Sequence, residues 1–180
     1  MRQPINITTV TPPAETPVSY TLVKDHMRVD GDEERELILQ MIAAATEYAE
    51  AELQRSLVSR TLNSEYGEGP ADRSHWLPRG PVSEITTVGG EAASGVSLTR
   101  MGGRDIALFD NGAAPAGPTS IEYVAGYGDA EAVPADIKQG ILMHVAHLYD
   151  MRHSASDRPT HAVEHGLDAI YNRHRIGGVL

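Results

Sequence analysis

Between residues 33 and 56 the apolar positions repeat at intervals of three and four. Leu37, Ile38, Met41, Ile42, Ala45, Tyr48, Ala49 and Leu53 form one stripe, and Gln40, Glu47, Glu50 and Gln54 line the other side. This spacing predicts an amphipathic helix over residues 33–56, about 36 Å long at 1.5 Å per residue. Asp30-Gly31-Asp32 stops the preceding segment and offers a cap, and Glu33, Glu34 and Glu36 complement the helix dipole. Upstream, Ser19 is a good N-cap for a short helix to about Met27, with Leu22, Val23 and Met27 at helical spacing.

After Leu57 the period changes to that of strands. Residues 58–66 are rich in Thr, Ser, Val and Leu, and residues 82–88 (Val-Ser-Glu-Ile-Thr-Thr-Val) alternate before Gly89-Gly90. Shorter strands are expected at 96–99, 106–109 and 119–124, between Gly, Asn and Pro clusters. Helical spacing returns at Pro134, which suits a first helical turn because its missing N–H has no partner there anyway. Ile137, Ile141, His144, Val145, Leu148 and Tyr149 share one side of a helix over 134–152, widened by Leu142 and Met151. A last helix is expected over 163–174, with Leu167, Ile170 and Tyr171 inward. The fold class is therefore α+β and mainly α: a helical core (19–57 and 129–175) interrupted by a small antiparallel β insertion (58–128). Pro4, Pro12, Pro13 and Pro17 make residues 1–18 an extended N-terminal arm rather than a packed element, and residues 176–180 a tail.

Composition sharpens this picture. The chain has 180 residues, enough for one domain with a core, and is 41% hydrophobic and 22% charged. Aromatics make up only 5%, so aliphatic and alanine packing is expected to dominate a thin core that leans on neighbouring copies. A formal charge of −10 argues against a surface that grips nucleic acid or an anionic membrane by neutralising phosphates. The absence of cysteine excludes disulfides, thiolate metal sites and thiol nucleophiles. No apolar run approaches the ~18 residues that span a bilayer, and the first residues lack a signal-peptide core.

Candidate chemistry is sparse. His144 and His147 are three apart and His161 and His165 four apart, spacings that can place two imidazoles on one metal. Val145, however, stands where a hydrolytic zinc helix needs glutamate, and His144 falls on the apolar stripe as a core or interface histidine would. The acids at 30–34 start like a calcium loop, but the helix begins at once and capping accounts for them. Gly89-Gly90, Gly102-Gly103 and Gly126-x-Gly128 lack the phosphate-loop lysine and the dinucleotide spacing. No Gly-x-Ser-x-Gly elbow is present. Residues 171–180 either fray as a C-terminus or order on a partner, with Arg173 and Arg175 meeting acidic groups and Ile176, Val179 and Leu180 filling a groove or extending a sheet.

One series of motifs stands in a telling order. Pro17-Val18-Ser19 opens the short helix, which ends near Arg28-Val29-Asp30, and the long Ile/Ala-rich helix follows. The β insertion contains Leu77-Pro78-Arg79-Gly80-Pro81-Val82. A strand then enters Ala-Gly-Tyr-Gly-Asp (125–129), Val133-Pro134 starts a helix, and that helix ends on His-Leu-Tyr-Asp-Met-Arg (147–152). Over nearly its whole length the chain resembles the head–tail connector (adaptor) proteins of tailed phages and gene transfer agents. The resemblance implies a structural protein of the virion neck, made in the host cytoplasm, without catalytic residues, cofactor, metal or membrane. It implies a ring, normally of twelve copies, beneath the portal protein, seating a head-closure (stopper) or tail-terminator protein and surrounding the DNA channel. It also gives the C-terminal residues Arg173, His174, Arg175, Ile176, Val179 and Leu180 the role of portal docking. On this basis part of the acidic charge would line the channel and let DNA slide, with Glu47 and Glu50 as candidates. The proline-rich arm and the loose stretch at 112–117 depart from the pattern. Two rival readings are a small acidic binding module outside a virion and a metal-dependent hydrolase using the histidines.

Overall fold

The computed structural model describes residues 1–111, 114–153 and 161–176. Among them are four helices and eight strands, so the fold is α+β with helix and strand in comparable measure, and the expectation of a mainly α chain is corrected. Contacts divide the chain into a sheet unit (1–14, 54–127 and 176–180) and a helical unit (15–53 and 128–175).

The sheet unit holds two antiparallel sheets. Strands β1 (Asn6–Thr11), β2 (Arg60–Tyr66), β8 (Thr119–Ala125), β4 (Val82–Val88) and β5 (Glu91–Ala92) lie in the order β1-β2-β8-β4-β5. The second sheet has the order β3-β7-β6, built from β3 (Ser74–Leu77), β7 (Arg104–Phe109) and β6 (Val96–Met101). Alternation along β2 buries Leu62, Ser64 and Tyr66, and along β8 it buries Ile121, Tyr123 and Ala125. These side chains meet Leu77, Val82, Ala107 and Phe109 in one cluster drawn from both sheets. Removing Phe109 from water in this way contributes roughly 2–3 kcal/mol. Aliphatic residues still make up most of the cluster, as expected, but Tyr66, Tyr123 and Phe109 are among its largest fully buried side chains.

Strand β1 is the main departure from the sequence reading. Residues 6–11 pair antiparallel with β2, from Asn6 opposite Glu65 to Thr11 opposite Thr61. All six are exposed, so no in/out alternation betrays the strand. Pro4, Pro12 and Pro13 flank it, and the one step inside it that departs from regular register is a shift between Thr9 and Thr11. Prolines therefore delimit this strand where they were expected to preclude it.

In the helical unit, α1 (Tyr20–Met27) starts as expected, with the Ser19 hydroxyl accepting from the Leu22 N–H at 3.2 Å. Arg28 ends it in the left-handed region (φ 56°), and the Val29 N–H returns to the Lys24 carbonyl. Helix α2 (Arg35–Leu53) begins two residues later than the spacing suggests. The Asp32 carboxylate does not cap it: that group accepts from Tyr20 Oη at 2.8 Å and Lys24 Nζ at 3.0 Å, and the Lys24 bond chiefly holds its pKa below the usual range. Helices α3 (Ala135–His153) and α4 (His161–His174) follow, and α3 packs on both α2 and α4. Ile38, Ile42, Ala45, Ala49 and Leu53 of α2 and Ile137, Ile141 and Val145 of α3 are buried, as are Leu167 and Tyr171 of α4. Met151, expected to widen the α3 stripe, is 52% exposed.

Candidate assembly surfaces

Two of the ordered motifs meet inside the sheet unit. The Gly126 N–H donates to the Pro81 carbonyl at 2.8 Å, and the Tyr127 N–H donates to the Leu57 carbonyl at 2.9 Å. Gly126 has φ +136°, and a Cβ there would come within 2.6 Å of the Ser59 backbone, so only glycine allows this approach. The proline-framed segment is fixed from the other side by Asp105, which is buried. Its carboxylate accepts from the Val82 N–H at 2.9 Å and from Arg100 Nε at 2.7 Å, and it fills the space a Gly80 side chain would need. Tyr123 Oη donates to the Pro78 carbonyl at 3.0 Å and lies 3.0 Å from Ser64 Oγ. Burial pushes the Tyr123 and Tyr66 phenols up, so both stay neutral hydrogen-bonding groups. The motifs are therefore scaffold: they hold the strand ends together rather than forming a reactive centre.

The first residues of the chain extend both sheets. Arg2 forms a parallel bridge with His75: its N–H donates to the Ser74 carbonyl at 2.8 Å, and its carbonyl accepts from Trp76 at 3.0 Å. The Arg2 guanidinium donates to the carbonyls of Gly117 (2.8 Å), Pro115 (3.4 Å) and Gly67. Sequence reasoning missed this anchor because its partners lie more than 60 residues away. A lone arginine among prolines carries no periodic signal. His75, beside it, is fully buried between the rings of Tyr66 (4.7 Å) and Phe109 (5.1 Å), with no hydrogen bond to either ring nitrogen. Burial first, then the Arg2 charge, lowers its pKa to about 4.

On the helical unit the expected stripe is rotated. Tyr48 is 42% exposed, with its ring edge-on to His144 at 4.8 Å and 6.3 Å from the Tyr171 ring. Desolvation lowers the His144 pKa, and its buried Nδ1 has no hydrogen-bond partner. Glu47 is exposed, but Glu50, expected on the polar side, is buried. Three residues before Leu53, it sits beside the apolar stripe and is drawn into the packing face. Leu37, Met41, Leu148 and Tyr149 are half-buried, and Tyr149 Oη donates to Glu34 at 2.6 Å. An open cleft between α1 and the start of α2 is lined by Arg28, Asp30, Glu33, Glu34 and Tyr149.

The residues expected to dock a partner at the C-terminus are engaged within the chain. His174 Nε2 lies 2.6 Å from the Asp136 carboxylate and Arg173 lies 3.8 Å from it. The His174 bond chiefly lowers the Asp136 pKa. Arg175 donates to the Glu52 carbonyl at 2.7 Å and pairs with the Glu52 carboxylate. Ile176 is buried, and Val179 and Leu180 lie outside the described residues. Among the described residues, no group of three or more His, Cys, Asp or Glu side chains converges as a metal site, and no helix is long and apolar enough to cross a membrane.

Residues 21–86, from α1 through most of β4, match the family described as phage gp6-like head-tail connector proteins. The chain resembles the head–tail connectors. The likeness to solved structures reaches much further along the chain. A protein of the neck of an empty gene transfer agent particle with C6 symmetry is 22% identical, with a TM-score of 0.80 and 98% of each chain covered. A protein of the neck of a native particle with C12 symmetry is also 22% identical over 98% of each chain, at a TM-score of 0.78. A third, from the virion of a native gene transfer agent particle, is 25% identical at a TM-score of 0.75, again over 98% of both chains. No curated protein matches the chain. At these identities the neck proteins establish the architecture from end to end, both sheets included.

Proposed function

We propose that this chain is a structural head–tail connector of a virion neck, assembled as a ring of identical copies. The observation that carries this reading is the match over 98% of both chains to proteins of gene transfer agent necks, together with the connector-family match at residues 21–86. A chain whose motifs are spent on holding strand ends together, with surfaces in place of a reactive cluster, suits such a role. In the finer form of the reading, twelve copies sit beneath the portal protein, seat the next neck or tail component and surround the path of the DNA.

Two features of the chain bear on that form. The exposed Glu47, with the overall −10 charge, suits a wall that repels phosphates, whereas Glu50 is buried and does not face solvent in a single copy. For the C-terminal segment to dock on a portal, Arg173, His174 and Arg175 would exchange Asp136 and Glu52 for carboxylates of that partner. Electron microscopy of particles assembled with and without the gene tests the reading. The expected outcome is density for this chain as a closed ring at the head–tail joint, and unjoined heads and tails without it. Normal particles lacking the chain would overturn it.

A further inference from the structure

The two sheets of the sheet unit end in open strands. In the five-stranded sheet β1 lies outside β2, and in the three-stranded sheet β6 lies outside β7. The sheets face each other so that β2 meets β3, through Tyr66 and its 2.6 Å bond to the Trp76 carbonyl, while β4 contacts β6. Strands β1 and β6 therefore lie on opposite flanks of one sandwich. We propose that β1 of one copy pairs with β6 of the next, head to tail; this rests on the reading that copies of the chain form a ring.

Three observations select this pairing. First, of the nine large hydrophobic side chains exposed among the described residues, five lie on or beside these two strands: Ile5, Ile7, Val10, Leu98 and Met101. Their exposure reaches 74% at Ile5 and 65% at Met101. Open strands carrying exposed apolar groups are the kind of edge that monomeric proteins guard with charge.

Second, the charge is arranged for contact between like copies. The chain carries 25 acids, yet none falls in residues 1–14 or 92–104, so repulsion between two acidic copies is weakest at these edges. The arginines nearby are already engaged: Arg2 by carbonyls, Arg100 by Asp105 and Arg104 over the Trp76 ring at 5.2 Å. Neither edge segment therefore carries negative charge of its own.

Third, a ring with more than two members requires a heterologous contact, in which one patch of each copy meets a different patch of the next. Two unlike open edges on opposite flanks supply that directly. Each is six residues long, roughly 20 Å of strand, so main-chain hydrogen bonds can run the length of both.

The absence of cysteine provides a clean test. Thr8→Cys in β1 and Ser97→Cys in β6, both at exposed positions, are made singly and together and treated in assembled particles with a short bismaleimide. The double variant is expected to give a ladder of covalent oligomers of this chain, and each single variant monomer only. Rings visible by microscopy with no ladder would overturn the strand pairing while leaving the connector reading intact. Dimers from Thr8→Cys alone would mean β1 meets β1, and cross-links to a different neck protein would mean another partner covers the edge; either overturns it. Particles that lack the chain altogether would remove the connector reading, and this inference with it.

Discussion

The two units solve the problem of a small core in different ways. In the helical unit the buried side chains are largely aliphatic: Ile38, Ile42, Ala45, Ala49 and Leu53 lie on α2, which packs on α3 with its Ile137, Ile141 and Val145. In the sheet unit the aliphatic cluster also encloses rings and polar groups, with Tyr66, Tyr123, Phe109 and His75 buried alongside the Ser64 hydroxyl and the Asp105 carboxylate. Buried polar groups cost little while paired and much when a partner is lost. The sheet unit should therefore be the more sensitive of the two to single substitutions and to pH, although it is drawn from three separate stretches of chain.

The largest test of that contrast uses glycines. Gly126→Ala forces a Cβ to within 2.6 Å of the Ser59 backbone at φ +136°, and should cost about 4 kcal/mol in urea unfolding. Gly140→Ala in α3 meets only the edge of the Tyr171 ring at 3.0 Å and gains helix propensity, so its net effect should be about 1 kcal/mol or less. Equal losses at the two positions would break the comparison.

The second test is acid. The His75 pKa falls from 6.5 to about 4 in the folded chain, so the unfolded state binds the extra proton first. Its contribution to stability is complete above pH 6.5 and is lost as pH falls towards 4, amounting to about 3 kcal/mol. Unfolding measured at steps across that window should show this slope in the wild type and a flatter one in His75→Leu. Parallel curves for the two would show that His75 is not the group responsible.

A smaller effect is expected at Tyr123→Phe, which keeps the ring but leaves the Pro78 carbonyl and Ser64 hydroxyl short of a partner, at about 1–2 kcal/mol in urea unfolding. In the helical unit, Ser19→Ala removes one cap bond and should cost about 1 kcal/mol by thermal unfolding. The smallest change belongs to Arg175→Ala, whose pair with Glu52 is partly solvent-exposed, at about 0.5 kcal/mol. A loss at Arg175→Ala larger than at Tyr123→Phe would reverse the ranking of the two units.

The same contrast explains what could be read in advance. The stripe on α2, the Ser19 cap and Pro134 before α3 are all local signals, and the helices lie close to where those signals put them. Among the strands, residues 82–88 alternate within their own sequence and form β4 over that span. Misreadings occurred where a side chain served an element other than its own. Asp32 reads as a cap for α2 yet serves Tyr20 and Lys24, and Glu50 reads as a polar-face acid yet is buried. The family-like motifs were legible as strings, but their work in joining Gly126 to Pro81 was not.

By itself, then, the sequence determined the periods of its helices, the caps and turns between them, the lack of thiol chemistry and an order of motifs that resembles the connectors'. Tertiary structure alone decided that residues 6–11 are a strand, that Arg2 anchors both sheets, and which strands lie at the sheet edges. The physical reason lies in the range of each interaction. A helix hydrogen-bonds to itself within four residues, so its pattern is written where it forms. An edge strand such as β1 is held by a partner some 50 residues away and, exposed on both faces, leaves no hydrophobic pattern of its own to announce it.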